Sequence, residues 1–273
     1  MQHINDMLDA YDAQFTLTHI MVAGIRTAVY SKQGTTAGKT LLFLHGIGGD
    51  YHGILPLAHQ LNQAHSILMV DLPEHGQSER LPVNDSQHLL LWSKHLLQAL
   101  QNEGHEVDVV IGHSYGCLPA ANIACRQAVF LNPPTLATPA AQRYGVLLYR
   151  TRYIVAPVYN MSLFASWRGY KLLHDVSPDS VEYVKWVTKR TRSSTRMVVA
   201  QSSLVHNTRQ ILFDRGCQQQ QMQVAGIYDK VIDVRPNHTY AVKTQLIPTG
   251  HMSFFDDCRM VATLVEAELS TVA

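Results

Sequence analysis

Short apolar segments alternate with longer amphipathic segments through the first half of the sequence, and this alternation limits the possible folds more than any other feature. The apolar segments are four or five residues long, which is typical of buried strands, and the segments between them carry apolar residues at helical spacing. The strand segments are Thr40–Leu44, Ser66–Val70, Val107–Ile111 and Ala128–Leu131, and the helical segments are Gly53–Gln63 and His88–Asn102. This order predicts an α/β fold with a mostly parallel sheet that helices cover on both faces.

The alternation stops after Leu131 and resumes only near residue 222. Between these points the sequence shows helical patterns that prolines interrupt, without a convincing strand. We therefore predict one sheet domain formed by residues 1–131 and 222–273. Residues 132–221 are predicted to be a helical insertion in that domain.

Strand-like sequence returns at Met222–Ile227 and again at Thr244–Pro248. A final helix is predicted from about Asp256 to Leu269, since apolar residues recur there at helical spacing. Near the N-terminus, Thr16–Thr27 and Val29–Ser31 predict two antiparallel strands of a hairpin. The chain thus has enough strands for one sheet that continues on both sides of the insertion.

The composition favours a protein that acts on small molecules. The chain of 273 residues has a formal net charge of +1, so it lacks the basic surface that nucleic-acid binding requires. No apolar run approaches the roughly 20 residues of a membrane span, and the first residues lack the pattern of a signal peptide. The four cysteines show no metal-ligand spacing, which together with these features predicts a cytoplasmic protein with reduced thiols.

The segment Gly112-His113-Ser114-Tyr115-Gly116 matches the pattern GxSxG. A predicted strand precedes it, and Cys117–Cys125 is predicted to form a helix after it, which is the arrangement of a nucleophile elbow. Such a turn holds its serine in a strained backbone conformation and lifts the hydroxyl above the sheet. The alternative is a glycine-bounded helix start that Ser114 caps.

A serine hydroxyl needs a base and an orienting carboxylate to become a nucleophile. After an elbow these partners follow in the order acid and then histidine. Asp229 comes directly after one predicted strand, and His251 comes directly after the next, so we predict Ser114, Asp229 and His251 as a catalytic triad. Asp233 is the alternative acid, while Asp256 is predicted to begin the last helix together with the aspartate after it.

Acyl transfer also requires N–H donors for the developing oxyanion. The N–H of Tyr115 directly follows the nucleophile at a helix N-terminus. The loop after the first buried strand, His45–Gly49, has three glycines in five residues and can approach a ligand closely. The sequence therefore predicts an oxyanion hole from the N–H groups of Ile47 and Tyr115, with a plain glycine-rich turn as the alternative for the loop.

Five segments together resemble the α/β-hydrolase superfamily, in particular its bacterial esterase-like and carbon–carbon-bond-hydrolase-like members. They are LLFLHGIGGD (41–50), VDLPEHGQS (70–78), VIGHSYG (110–116), GIYDKVI (226–232) and GHMSF (250–254). The resemblance implies the α/β-hydrolase fold, the same triad and oxyanion donors, and a lid over 132–221 inserted before the strand that leads to the acid. Glu74 departs from the family pattern, which has glycine there. Serine at the elbow argues against the branches that place aspartate there.

The predicted triad indicates a serine hydrolase, and the Tyr, Phe, Trp and Leu content of residues 132–221 indicates a mainly apolar pocket, so we expect the substrate to be a carboxylic ester of small to medium size. A thioester, a lactone or a carbon–carbon bond remains an alternative, as does a receptor of this fold that binds a ligand without catalysis. Phe164, Trp167 and Tyr170 are predicted to line the substrate pocket, although aromatic residues at helical spacing also occur in cores. No cofactor is predicted, because phosphate-cradling motifs are missing, and the scattered histidines predict no metal site. The sequence does not indicate an oligomeric state.

Overall fold

The computed structural model describes residues 2–35, 38–61, 64–81, 86–134, 138, 143, 146–147, 150–151, 153–154, 169–174, 176–191, 220–233 and 243–271. Within these residues the strands are β1 Thr16–Val22, β2 Ile25–Lys32, β3 Thr40–Leu44, β4 Ser66–Val70, β5 Val109–His113, β6 Gln127–Leu131, β7 Gln220–Gly226 and β8 Lys243–Ile247. The helices are α1 Gln2–Asp12, α2 Leu55–Leu61, α3 Ser86–Asn102, α4 Cys117–Ala120, α5 Pro178–Arg190, α6 Ser253–Asp256 and α7 Cys258–Leu269. Short 3₁₀ helices cover Tyr51–Gly53 and Ser114–Gly116.

The strands form one sheet in the order β1-β2-β4-β3-β5-β6-β7-β8. The pairs β1–β2 and β2–β4 are antiparallel, and every other neighbouring pair is parallel. The predicted fold class, a mostly parallel sheet flanked by helices, is confirmed. After β3 the chain adds β4 on one side and β5 on the other, so the strand order reverses at this point. In sheets of this kind a ligand binds beyond the carboxyl ends of the strands at such a reversal.

Each face of the sheet has its own hydrophobic core. Along β3, Leu41 and Phe43 belong to one buried cluster, and Leu42 and Leu44 belong to the other, as the two-residue period of a strand requires. The first cluster includes side chains of α1, α2, α5 and α7. The second includes side chains of α3 and α4, among them the fully buried Trp92. Because both faces are covered, β3 and β4 are apolar from their second residue to their last.

The predicted hairpin is present, but its turn lies at Ala23 and Gly24 instead of between the two predicted strands. Both turn residues have positive φ, 49° and 82°, and the register pairs Val22 with Ile25. A two-residue turn of this hand matches the twist of the flanking strands. The sequence prediction placed the turn too late, because alanine at the first turn position gives no turn signal.

One helix prediction was wrong in its bounds. The helix predicted over Cys117–Cys125 ends at Ala120, where the chain turns to enter β6, and the Asn122 side chain donates to the Leu118 carbonyl 2.9 Å away. The final helix, predicted from about Asp256 to Leu269, is α7, and the short helix α6 precedes it. Asp257 separates the two, and its carboxylate accepts a hydrogen bond from the Met260 N–H at 2.9 Å and thereby caps α7.

Helix α5 lies within the range predicted as a lid, 132–221. Ser177 caps its N-terminus and Pro178 occupies its first turn, as expected for a helix start. Its Trp186 side chain is 1% exposed, belongs to the same cluster as sheet residues, and donates to the Asp9 carboxylate of α1 at 2.8 Å. This helix therefore packs into the core, while the division of the chain into core and lid remains a prediction.

Replacement of the Trp186 side chain tests whether α5 unfolds together with the sheet. We expect Trp186→Ala to lower the free energy of unfolding by about 3–5 kcal/mol, because it removes a large buried side chain and leaves a cavity. Leu147→Ala, at a position that is 59% exposed in the same predicted lid, should change stability by less than about 0.5 kcal/mol. Urea unfolding followed by circular dichroism measures both. Equal effects of the two variants would show that α5 is not part of the cooperative core.

Candidate active site

The predicted catalytic residues lie beyond the carboxyl ends of parallel strands. Ser114 follows β5 directly, Asp229 lies three residues after β7, and His251 lies four residues after β8. The glycine-rich loop follows β3, the strand that pairs with β5. The structure therefore brings the predicted residues to one edge of the sheet, at the reversal of strand order.

The turn at Ser114 is tight and strained. Ser114 has a φ of 48°, in the left-handed region. Glycine adopts this conformation readily and asparagine and aspartate do so at times, whereas other residues adopt it rarely. The turn packs against the end of β3 so closely that a Cβ atom on Gly116 would lie 2.3 Å from the Leu44 carbonyl oxygen. Only glycine fits there, which explains why the chain has glycine two residues after the serine.

A chain of two hydrogen bonds links the three predicted triad residues. The Ser114 Oγ lies 2.9 Å from His251 Nε2, and His251 Nδ1 lies 2.8 Å from Asp229 Oδ2. Ser114 and His251 are 8% and 5% exposed, so water has little access to the contact between them. Of the two candidate acids, Asp229 is the one whose carboxylate contacts the imidazole. In this arrangement the imidazole can accept the serine proton while the carboxylate holds its orientation.

The Asp229 carboxylate is fixed by several donors. Its Oδ1 accepts the N–H groups of Val231 at 2.7 Å and Ile232 at 2.9 Å. Burial raises the pKa of Asp229, but the neighbouring His251 and these N–H donors outweigh it and hold the pKa below its ordinary value. Asp229 is therefore a carboxylate at neutral pH, in the charge state that an orienting acid requires.

Asn132 is part of the site, and the sequence analysis missed it. It follows β6 with a φ of 47°, and its Nδ2 donates to Asp229 Oδ2 and to the Gly250 carbonyl oxygen, both at 3.2 Å. It thus contacts both Asp229 and the residue before His251. Its position directly after a buried strand, between the strands that lead to Ser114 and Asp229, was the signal that could have identified it.

Two buried histidines support the glycine-rich loop. His45 donates through Nδ1 to the Gly46 carbonyl at 2.8 Å and accepts the Leu72 N–H through Nε2 at 3.0 Å. His75 donates to the Pro73 carbonyl at 2.8 Å, and its Nε2 accepts the Gly48 N–H at 3.3 Å. These hydrogen bonds assign the tautomer of each ring. They also fix the loop that holds Ile47, one of the two predicted oxyanion donors.

A third buried histidine, His113, directly precedes Ser114. Its Nε2 is 3.2 Å from the carbonyl oxygen of His251 and donates to it. Burial, followed by the nearby His251, lowers the pKa of His113 to about 3. Burial likewise lowers the pKa of His75 to about 3. Both rings are therefore neutral at physiological pH and serve as hydrogen-bonding groups without charge.

Glu74, which departs from the family pattern, adopts a conformation typical of glycine. Its φ is 72°, so the chain keeps the left-handed turn although it has a side chain there. The carboxylate accepts the Leu81 N–H at 3.1 Å, and the Glu74 N–H donates to the Glu79 carbonyl at 3.0 Å. These contacts offset part of the roughly 1–2 kcal/mol that a left-handed non-glycine residue costs.

The structure bears only partly on the predicted pocket residues. Phe164 and Trp167 lie outside the described residues. Tyr170 is partly buried and packs against the first core cluster, which agrees with the alternative that such aromatic residues belong to a core. Its role toward a substrate remains a prediction.

The described part of the chain contains neither a candidate membrane span nor a candidate metal site. No helix there is both long enough and apolar enough to cross a membrane. No three His, Cys, Asp or Glu side chains in it form a group that could hold a metal ion. Two of the histidines that precede β4 have acidic partners: His52 contacts Asp50 at 3.0 Å, and His65 contacts Glu266 at 3.2 Å.

The sheet order and the strained serine turn define an α/β protein with the architecture of a hydrolase. The sequence profile of the alpha/beta hydrolase family matches residues 41–264, which is well over half of the chain. The protein therefore belongs to the alpha/beta hydrolase family, and the resemblance inferred from the five sequence segments is confirmed.

Curated relatives match shorter regions. The dihydrolipoyllysine-residue acetyltransferase component of the acetoin cleaving system of Cupriavidus necator is 36% identical over 103 residues, which are 38% of this chain and 26% of that protein. A protein of Haemophilus influenzae that is named for esterase or lipase activity is 24% identical over 116 residues, 41% of this chain and 39% of that protein. The matched regions thus span well under two thirds of the length of either relative.

Solved structures resemble the whole chain. The carboxylesterase CesB of Bacillus subtilis is 14% identical with a TM-score of 0.69, and the match covers 100% of this chain and 98% of that one. The Cif epoxide hydrolase of Acinetobacter nosocomialis is 15% identical with a TM-score of 0.71, covering 97% and 94%. At this level of identity the likeness shows a shared fold, and the fold alone does not distinguish the two activities.

The buried neutral histidines predict how stability depends on pH. In the unfolded chain a histidine titrates near 6.5, whereas His75 and His113 titrate near 3 in the folded protein. The unfolded state therefore binds more protons between these values, and the free energy of unfolding should fall as pH decreases from about 6.5 toward 3.

We expect His75→Gln to have a shallower pH slope than the wild type between pH 6 and 4, by up to about 1.4 kcal/mol per pH unit. Urea unfolding at several pH values measures the slope. His95→Gln, which removes an exposed histidine of α3, should keep the wild-type slope. A slope for His75→Gln that equals the wild-type slope would contradict a neutral buried His75.

Proposed function

We propose that this protein is a serine hydrolase that cleaves a carboxylic ester through an acyl-enzyme on Ser114. One observation carries the proposal: Ser114, His251 and Asp229 form a continuous hydrogen-bonded chain with contacts of 2.9 Å and 2.8 Å. The strained turn that presents the serine supports the same role, since it directs the hydroxyl toward the imidazole. Family membership agrees with a hydrolase but does not identify the bond that is cleaved.

In the proposed mechanism, Ser114 attacks the ester carbonyl while His251 takes the hydroxyl proton through Nε2. Asp229 holds the Nδ1–H tautomer and stabilises the imidazolium that forms. His251 then gives its proton to the leaving alcohol, which departs and leaves the acyl group on Ser114. Water, activated by the same imidazole, attacks the acyl-enzyme and releases the acid.

The oxyanion that forms in each step requires two N–H donors. We propose Tyr115, the second residue of the 3₁₀ helix that begins at Ser114, and Ile47. In the loop of Ile47, the Gly48 N–H donates to His75 and the Gly49 N–H donates to the Gly46 carbonyl. These contacts engage the two following N–H groups within the protein, which supports Ile47 as the donor that meets the substrate.

We propose a small to medium, mainly apolar ester as the substrate, with Phe164, Trp167 and Tyr170 as pocket residues. The esterase and carboxylesterase names among the relatives and similar structures support an ester. The Cupriavidus relative is named for acetyl transfer on dihydrolipoyllysine, which favours a thioester as a second candidate. Ester and thioester cleavage use the same tetrahedral oxyanion, so a pair of matched substrates distinguishes them.

Removal of the Ser114 hydroxyl tests the proposed nucleophile. On p-nitrophenyl esters from acetate to palmitate we expect Ser114→Ala to lower kcat at least about a thousandfold, because the acyl-enzyme cannot form. Ser270→Ala, at an exposed position after α7, serves as the control and should behave like the wild type. Acyl thioesters of the same chain lengths form the second arm of the assay.

Covalent labelling separates a selective enzyme from a ligand-binding receptor. A serine-directed phosphonate should label the wild type and the Ser270→Ala variant at Ser114, and it should leave Ser114→Ala unlabelled. Turnover that persists in Ser114→Ala would overturn the assignment of the nucleophile. If the wild type showed neither turnover nor labelling, the hydrolase proposal would be overturned and a non-catalytic receptor would be favoured.

Asn132→Asp tests the role of Asp229 through the pH profile. The new carboxylate would lie about where the Asn132 amide now contacts Asp229 at 3.2 Å, and two like charges at this distance raise the pKa of the pair. We expect the acid limb of the profile of kcat/KM to move to higher pH by about one unit. Asn122→Asp, after α4, adds the same charge away from the site and should leave the profile unchanged. An unchanged profile for Asn132→Asp would contradict an ionised Asp229 in the reaction.

A further inference from the structure

All four main-chain polar groups of the dipeptide Gly250–His251 have hydrogen-bond partners. The Gly250 N–H donates to Asp256 Oδ2 at 2.6 Å, and the Gly250 carbonyl accepts from Asn132 Nδ2 at 3.2 Å. The His251 N–H donates to the Leu172 carbonyl at 2.9 Å, and the His251 carbonyl accepts from His113 Nε2 at 3.2 Å. Four separate segments of the chain thus determine where the imidazole of His251 is placed.

Asp256 differs from the other partners because its carboxylate joins two segments. Besides the Gly250 N–H, it accepts the His174 N–H, with distances of 3.2 Å to Oδ1 and 3.0 Å to Oδ2. Residues 169–174, which we name the strap, are thereby tied to the loop of His251. A Cβ atom on Gly250 would lie 2.6 Å from the Leu172 carbonyl oxygen, so strap and loop are in close contact.

The strap also touches the loop of the proposed acid. The ring of His174 stacks on the ring of Tyr228 with centroids 3.7 Å apart, and Tyr228 directly precedes Asp229. The same short segment therefore packs against Tyr228 on one side and accepts the His251 N–H on the other. A shift of the strap would therefore change the distance between His251 Nδ1 and Asp229 Oδ2.

A carboxylate suits this position for a chemical reason. Two N–H donors from different segments converge on it, and an ionised acceptor forms shorter and stronger hydrogen bonds than a neutral one. Both N–H groups contact Oδ2, and the His174 N–H also lies 3.2 Å from Oδ1, so an amide whose oxygen takes the place of Oδ2 would turn its NH₂ group toward the His174 N–H. Replacement of Asp256 by Asn should therefore loosen the His174 contact and weaken the Gly250 contact, whose acceptor becomes neutral.

We propose that Asp256 is a positioning residue for His251, which it fixes by joining the strap to the loop that holds the imidazole. The proposal rests on the proposed function, because it assigns to His251 the role of the base. Asp256 does not touch the reacting atoms. Its effect passes through Gly250 to the imidazole, and through the strap to the loop of Asp229.

The test compares Asp256→Asn with Asp257→Asn, which removes the same charge from the next residue. Asn caps a helix as well as Asp does, so Asp257→Asn leaves α7 capped and should keep the wild-type kcat within about twofold. For Asp256→Asn we expect kcat on a p-nitrophenyl ester to fall about 10-fold to 100-fold, because displacement of the imidazole by a fraction of an ångström slows proton transfer from Ser114. KM should change by less than about twofold, and phosphonate labelling of Ser114 should slow by the same factor as kcat.

Hydrogen exchange gives a readout that does not depend on activity. In Asp256→Asn, peptides that contain Gly250 and His251 should take up deuterium faster than in the wild type, whereas Asp257→Asn should leave their exchange unchanged. Asp256→Glu keeps two acceptor oxygens and should retain more kcat than Asp256→Asn. It also provides the comparison if Asp256→Asn does not fold.

The possible outcomes separate the two proposals. Wild-type kcat and wild-type exchange in Asp256→Asn would overturn the positioning role, as would an equal loss of kcat in Asp257→Asn. A wild type that neither hydrolyses the esters nor reacts with the phosphonate would overturn the proposed function. In that case the exchange of the Gly250 and His251 amides still decides whether Asp256 holds the loop.

Discussion

The parallel pairing of β5, β6, β7 and β8 is the constraint on which the candidate site depends. It brings the ends of these strands to one edge of the sheet, but adjacent strands are about 4.8 Å apart, so β8 lies roughly 14 Å from β5. His251 nevertheless contacts Ser114 at 2.9 Å. The loop after β8 must therefore extend back across the ends of β7 and β6, and its main chain is held there by side chains from other loops. Asn132, at the end of β6, occupies the path that this loop takes.

The sequence predicted the central part of the fold because local and global signals agree there. Strands such as β3 and β4 are buried on both faces, so their residues are apolar without interruption, and α3 presents Leu89, Trp92, Leu96 and Leu100 to the core at helical spacing. The prediction missed α1, because most of its residues are polar and its packing partner α5 is more than 160 residues away in sequence, as the contact of Asp9 with Trp186 shows. A segment whose burial depends on so distant a partner carries little local signal.

The candidate site likewise contains residues that the local sequence indicates and residues that only the folded chain brings together. Ser114, Asp229 and His251 each directly follow a predicted strand, so their proximity could be inferred from the rule that parallel strands end at one edge. His113 and Asp256 contact main-chain groups up to 138 residues away, and no spacing in the sequence reports such contacts. Asp256 was assigned to a helix start from its sequence context, whereas its carboxylate accepts hydrogen bonds from Gly250 and His174. Only the folded chain brings the two donors together.

Backbone strain in the described residues is concentrated near the site. Of the four non-glycine residues with positive φ in this part of the chain, Ser114 and Asn132 belong to the site, and Glu74 directly precedes His75, which supports the glycine-rich loop. A left-handed residue costs of the order of 1–2 kcal/mol and persists only where its surroundings leave no alternative. Around Ser114 the close contact of Gly116 with β3 provides that restraint, and around Asn132 the hydrogen bond from its N–H to the Val224 carbonyl does so. In both residues the left-handed backbone turns a side chain at the end of a buried strand toward the next loop, which a regular strand conformation could not do. The strain and the convergence of the polar side chains therefore have one cause. Neighbouring parallel strands end side by side, and the side chains that follow them must extend across the strand ends to contact one another.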